Sequence, residues 1–442
     1  MIVPPLALAQ FVASYAATTM TVAVSVIAAD LGTTVLGVQT AITLFTLTMA
    51  SLMVPGSKLT DFLGRKRCFL LGLVVYGGGA LLASAAQGTG TLILGYSLLQ
   101  GIGSALMIPP IYILVTVTVT GSDVATRARR FGVVSGAGAL GAAAGPLIGG
   151  LVTTWLGWRA SFLLQVLIVG LVVVLALRLV EPLEVPAGTR FDVFGAGLSA
   201  AGLFFVVVGV LQMGTALFWV FAAVGVAILF AFAAYIRARE RAGREPLVSP
   251  GLFRDRTTRL GLVTQHVQWL VLQGAFFVIA VFLQQARGYD AIETGLMLTP
   301  ATVGILAASG AAGRMARRHS QRRLIRGGFV LAIAGLVLVL LLVRADSGVA
   351  SAVPGLFLLG AGVGIMLTAS VNLVQSRSPD AAQGDISGVS RSVSNLGSSV
   401  GTALAGSVLA GAAGHGFALA LATLTLVAVV GLIAALLLPR PR

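Results

Sequence analysis

Residues Gly141–Gly150 read GAAAGPLIGG and lie inside an apolar run from Phe131 to Trp155. That run has the length of one membrane-spanning helix. Small residues fill its middle: Gly136, Gly138, Gly141, Ala142, Ala143, Ala144 and Gly145, then Pro146, then Gly149 and Gly150. Pro146 has no N–H to give the Ala142 carbonyl, so the helix is expected to bend or loosen there. Small residues four apart let two helices approach closely in lipid. The stretch therefore reads as a bendable packing face, not a catalytic site. On spacing alone a passive packing patch fits equally well, and the surrounding chain has to decide.

The rest of the chain supports a membrane setting. Of 442 residues, 57% are hydrophobic and 10% charged, a balance that belongs to polytopic membrane proteins rather than soluble folds. Residues 4–29 are expected to be a retained first helix, because they lack the basic leader of a signal peptide. Cys68 is the single cysteine, so no internal disulfide can form. Fourteen apolar segments reach the length of about 20 residues that a span needs: 4–29, 36–56, 68–87, 91–118, 131–155, 161–180, 193–213, 216–236, 260–284, 292–312, 327–343, 350–373, 385–411 and 416–438. An even count puts both termini on one side. On that assignment 25 of the 29 basic residues fall in loops on the terminal side; Arg159, Arg287 and Arg344 fall on the other, and Arg391 lies within a span. Basic residues mark the cytoplasmic side. The same placement accounts for a net charge of +15 without nucleic acid, with the basic loops facing anionic lipid headgroups.

The chain also repeats. Gly141 and Gly145 recur as Gly397 and Gly401, and the loop around Asp61 recurs around Arg317, both at an offset of 256 residues. Two motifs at one offset imply two halves with the same helix order. The segments at 193–213 and 216–236 match neither half. The expected organisation is a six-helix bundle (1–180), two inserted helices with cytoplasmic linkers (181–257), and a second six-helix bundle (258–442). A parallel repeat around a midplane site is a transporter design.

With these residues assembled, the chain resembles the major facilitator superfamily, in particular its 14-helix drug:proton antiporter group. The family's loop motif appears as Ser57-Lys58-Leu59-Thr60-Asp61-Phe62-Leu63-Gly64-Arg65-Lys66. Its antiporter motif G-x-x-x-G-P-x-x-G-G is complete at Gly141, Gly145, Pro146, Gly149 and Gly150. Its fourth-helix motif appears as Ser97–Gly103, and its W-R-w-x-F stretch as Trp158–Phe162. The resemblance implies an all-α fold of 14 transmembrane helices and export of small molecules by alternating access. It implies that Asp61 caps a neighbouring helix start, near Gly384–Ser387, while Gly64, Arg65 and Lys66 help to gate the inner side. Two departures bear on the energy source. The acidic position of the first helix is Ala16, and the arginine position of the fourth is Ser97. Losing both members of a buried charge pair together leaves neither charge stranded. All 14 acidic residues fall in loops or near helix ends, so proton antiport is implied by resemblance without a midplane carboxylate to carry it.

Candidate cavity residues follow from polar side chains that share a helix face. Gln10, Ser14, Thr18, Thr21 and Ser25 fall within roughly 80° on the first helix at about 100° per residue. Such a stripe faces a cavity or a neighbouring helix, not lipid, and the cavity is the favoured reading. Gln265, His266, Trp269 and Gln273 form a second face, where amides beside aromatics suit an amphipathic ligand. His266 could carry a proton near neutral pH or serve only as a hydrogen-bonding group. Arg391 and Asn395 line a third face. Arg391 either binds an anionic group or snorkels to the inner surface. Tyr96 and Gln100 complete the set. No nucleotide loop, metal-ligand spacing or nucleophile–base pair is present, so an enzyme, a cofactor and a metal are not expected. The expected protein is a monomeric bacterial inner-membrane transporter with a small-molecule substrate and cytoplasmic termini. The alternatives are a proton-independent facilitator or importer, and a transport-inactive sensor or scaffold.

Overall fold

The computed structural model describes residues 2–117, 124–180, 191–316, 318–343, 348–376, 383–411 and 415–439. Every regular element among them is helical. Arg317 and the acids Asp123, Glu181, Glu184, Asp346 and Asp380 lie outside the described residues. Helix α1 (Val3–Val22) turns by 70° into α2 (Val24–Asp30). There follow α3 (Val35–Leu63), α4 (Arg65–Ser84), and α5 (Thr89–Leu92), which runs through a π-helical segment (Ile93–Gln100) into α6 (Gly101–Val117). Helices α7 (Val124–Leu156) and α8 (Trp158–Leu179) close the first half. The inserted pair is α9 (Val193–Leu211) and α10 (Ala216–Arg241). The second half comprises α11 (Arg256–Arg287), α12 (Ala291–Ala316), α13 (Gln321–Leu342), α14 (Val353–Gln375), α15 (Gln383–Gly411) and α16 (Gly416–Leu436).

Twelve of these spans are long and apolar enough to cross a membrane, and the bent α1–α2 pair makes thirteen. The sequence count was fourteen. The difference is α15, which has the length, at 29 residues, but carries serines, Asn395 and Arg391 on faces that pack inside the protein. Lipid-facing positions elsewhere are apolar: Leu167, Trp219 and Phe230 are each more than 70% exposed, as a bilayer solvent requires.

The packing repeats. α1 lies on α7 as α11 lies on α15; α4 lies on α6 as α13 lies on α14; α8 covers α1 and α4 as α16 covers α11 and α13. The two most extensive contacts between the halves are α3 with α15 and α7 with α12. α9 packs against α3 and α15, and α10 packs against α9. The segment after α10 folds under this junction. Its Leu247, Val248 and Leu252 are buried in a small apolar cluster with Val54 of α3 and Ile386 and Val389 of α15.

Candidate functional site

The GAAAGPLIGG stretch sits where three helices meet. α7 stays helical through Pro146. One side of the stretch lies on α1: a methyl on Gly141 would overlap the Phe11 carbonyl, and one on Gly145 or Gly149 would overlap the hydroxyl of Thr18 or Thr19. The other side lies on α12: a methyl on Gly150 would strike the Ala291 backbone, and one on Gly295 would lie 2.5 Å from the Pro146 carbonyl oxygen. The Thr302 hydroxyl donates to the Ala143 carbonyl at 2.6 Å, in the turn that Pro146 leaves short of a donor. The glycines thus bring backbone against backbone across the two halves.

The second-half copy repeats the geometry with one exchange. Gly397 and Gly401 meet the carbonyls of His266 and Leu270 on α11. Gly406 meets a side chain instead of backbone, that of Gln39 on α3. Gln39 donates to the carbonyls of Thr402 at 2.8 Å and Ala403 at 3.2 Å. One inter-half contact is direct; the other is filled by an amide.

Helix-1 polar residues divide between neighbours. Gln10 donates to Ser14 at 3.2 Å and lies against Gly138, while Thr18 lies against Gly145. Thr21 is buried. This stripe therefore fits the small-residue face of α7, so interhelical packing accounts for much of its polarity. Tyr96 is fully buried in the first half, donating to the Ala16 carbonyl at 3.1 Å and stacking on Phe45. Gln100 donates to Gln165 at 2.9 Å, and Tyr76 donates to the same oxygen at 2.7 Å. Both positions lie inside the first half, and the Gln100 Oε1 is left without a protein partner among the described residues. The two family charge positions are filled neutrally: the Ala16 carbonyl accepts from Tyr96, and Ser97 donates to the Ala41 carbonyl at 2.7 Å.

On α11, Gln265 accepts from Ser390 at 2.7 Å, and the His266 Nδ1 lies 3.3 Å from the Val393 carbonyl; both face α15. Trp269 is partly buried. Gln273 reaches across to α1, donating to the Ala17 carbonyl at 3.2 Å. The buried Gln265 Nε2, Gln273 Oε1 and Asn395 Nδ2 have no protein partner among the described residues, so they are left for water or a ligand to satisfy. Arg391 extends to Tyr112 of α6, donating to its hydroxyl and lying 5.1 Å from its ring centre. It points toward the first half.

The loop motif behaves differently from the family pattern. No hydrogen bond or ion pair among the described residues reaches Asp61. The reaching residue is Lys58, one turn earlier, whose ammonium lies 2.9 Å from Asp385 at the start of α15 and 3.3 Å from Glu245 in the segment after α10. Gly64 takes φ +90° between α3 and α4, a conformation that favours glycine. Lys66 donates to the Leu177 carbonyl at 3.3 Å, and Arg65 opens α4.

Contacts across the halves are also made at the end where α1 turns into α2. Gln284 of α11 grips the bend between α1 and α2: its Nε2 donates to the Val22 carbonyl at 2.7 Å, and its Oε1 accepts from the Ser25 N–H at 3.0 Å. These are backbone groups that a break at Ala23 leaves open. Thr154 accepts from the Ile292 N–H at 3.1 Å. At the same end, beyond the apolar run of the first span, hydrogen bonds from Arg159 and then Trp158 hold the Asp30 carboxyl below the usual carboxylate range. Lys58, Tyr112, Gln284 and Glu245 were not singled out from sequence, since each acts on a partner more than 180 residues away.

Two repeated helical halves that meet through glycine backbone, with polar groups between them, have the architecture of a membrane transporter. The Major Facilitator Superfamily profile matches residues 6–402, and the chain belongs to that family, whose members are transporters and not enzymes. The chain is 30% identical over 409 residues to the probable actinorhodin transporter of Streptomyces coelicolor, covering 90% of this chain and 70% of that one. It is 30% identical over 413 residues to the puromycin resistance protein pur8 of Streptomyces alboniger, covering 91% and 80%. The crystal structure of the human organic anion transporter MFSD10 (TETRAN) shares the fold over 98% of each chain, with a TM-score of 0.66 at 14% identity.

Proposed function

We propose that the protein exports a hydrophobic or amphipathic small molecule from a bacterial cell by alternating access. The observation that carries this is the pair of glycine-lined contacts between halves, α7 on α12 and α15 on α3, with unpartnered buried amides beside them. Relatives described by their names as antibiotic resistance and export proteins support the direction of transport. On this reading α15 is the fourteenth span, the halves are 1–180 and 258–442, the protein works as a monomer in the inner membrane, and both termini are cytoplasmic. Contacts at both ends of the junction correspond to an occluded state.

Proton independence is the second reading, favoured by the neutral bonds at Ala16 and Ser97 and by carboxylates that, among the described residues, sit only at helix ends and in loops. The test is ethidium transport in proteoliposomes with and without an imposed pH gradient. Flux driven by the gradient establishes antiport and makes His266 the first residue to substitute. Flux that ignores the gradient establishes the facilitator. Flux equal to that of protein-free vesicles refutes transport of this dye class and favours the sensor.

A further inference from the structure

We propose that Arg391 and Asn395 form a recognition site for an organic acid, an anionic carboxylate or enolate carried on an apolar body. The inference rests on the transport reading above and specifies the substrate class of that site.

The placement of Arg391 follows from its neighbours on α15. Gly388, Ser392 and Ser399 meet α3. Ser390, Gly397 and Gly401 meet α11. Ser407 meets α9. At about 100° per residue, Arg391 lies between the α3 and α11 faces on the side away from α9, which is the interior between the halves. Its reach to Tyr112 on α6 confirms the direction.

The chemistry of the spot is one-sided. A guanidinium offers five N–H donors and no acceptor. Among the described residues its partners are one phenol, touched by one hydrogen bond and by its ring face. No carboxylate among the described residues pairs with it. Asn395, one turn along the same face, presents a buried and unpartnered Nδ2 donor. A cation inside a membrane protein is costly unless it is compensated. Here the protein supplies further donors instead of an acid, so the compensating acceptor has to arrive from outside. A planar carboxylate fits a guanidinium fork bidentately, and the apolar body follows from the substrate class of the transport reading.

The test uses a matched pair, 2-naphthoate and 2-naphthamide, which share a ring system and differ in charge. Equilibrium dialysis against the purified full chain in dodecyl maltoside measures both affinities in gluconate buffer. A desolvated charge-assisted pair predicts about tenfold tighter binding of the naphthoate. Arg391→Gln brings the ratio to about one, and Arg391→Lys retains part of it, because charge survives while the fork is lost. Monodisperse elution and an unchanged thermal midpoint qualify each variant as folded. Equal binding of both probes by the wild type, or an undiminished ratio in Arg391→Gln, overturns the proposal. So does loss of the naphthoate preference on replacing gluconate by chloride, which marks a plain inorganic ion site. Ethidium flux by the wild type, measured in parallel, judges the transport reading separately from the dialysis.

Discussion

Replacing Gly145 by alanine tests whether the motif acts through steric fit to α1. The added methyl would overlap the Thr18 hydroxyl, with Thr18 Cβ at 3.2 Å and the Tyr15 carbonyl oxygen at 3.3 Å beyond it. Overpacking of this kind costs about 1–3 kcal/mol. Thr18→Ala removes the overlapping atom, and the remaining neighbours then need to give only about 0.2 Å to reach ordinary contact at 3.4 Å. The Thr18 hydroxyl bonds only to carbonyls of its own helix, Ser14 and Tyr15, so its loss alone costs less than about 1 kcal/mol. The double variant is therefore expected to recover most of the Gly145→Ala loss, with a coupling of about 1–2 kcal/mol. Gly141→Ala is the control. Its obstacle is the Phe11 carbonyl, which no substitution removes, so Thr18→Ala adds to it without rescue. Reversible unfolding of the purified protein in bicelles measures the wild type and all five variants. Failure of Thr18→Ala to rescue Gly145→Ala, or equal rescue of Gly141→Ala, would refute the argument.

Three further outcomes follow from the same geometry. Gln284→Leu strands the Val22 carbonyl and the Ser25 N–H at the α1–α2 bend and lowers unfolding free energy by about 1–3 kcal/mol; Gln284→Glu, which keeps the acceptor, loses less. Lys58→Met releases Asp385 and Glu245 and quickens trypsin cleavage at Arg244 and Arg254 in right-side-in membranes opened on the cytoplasmic face, and the swap Lys58→Asp with Asp385→Lys slows it again. Asp30 has its carboxyl pKa depressed by Arg159 and Trp158, so its stabilising contribution is present above about pH 3.9 and is lost as pH falls through the lower folded value. Asp30→Asn removes that contribution at neutral pH, and thermal melts below pH 4 then converge with the wild type.

Much of the architecture is legible because lipid leaves few choices. Apolar runs, arginine placement and the 256-residue offset each report on the backbone, and the packing of α7 with α1 and α15 with α11 bears out the offset. The interior is less legible, because a polar side chain on a membrane helix has two outlets. Gln10 and Thr18 found glycines of α7, Tyr96 found the Ala16 carbonyl, and Gln100 found Gln165. Face alignment cannot tell a glycine groove from a cavity, since both reject lipid. Lys58 escaped notice for a different reason. Motif reading favours Asp61, whereas here the charged contact to α15 starts one turn earlier because Asp385 presents a carboxylate where a bare helix end would have received Asp61. Arg391 was visible as the lone basic residue in a span, yet only the position of Tyr112 decides which way it points.

The apolar knot formed by Leu247, Val248 and Leu252 draws on residues that emerge early, such as Val54, and very late, such as Ile386 and Val389. During synthesis it cannot close until α15 has been made and has docked on α3. It therefore serves as a seal of completed assembly. A chain stalled before α15 would expose three aliphatic side chains on a segment flanked by Arg244 and Arg254, which offers quality-control proteases a cleavable flag that the finished protein conceals.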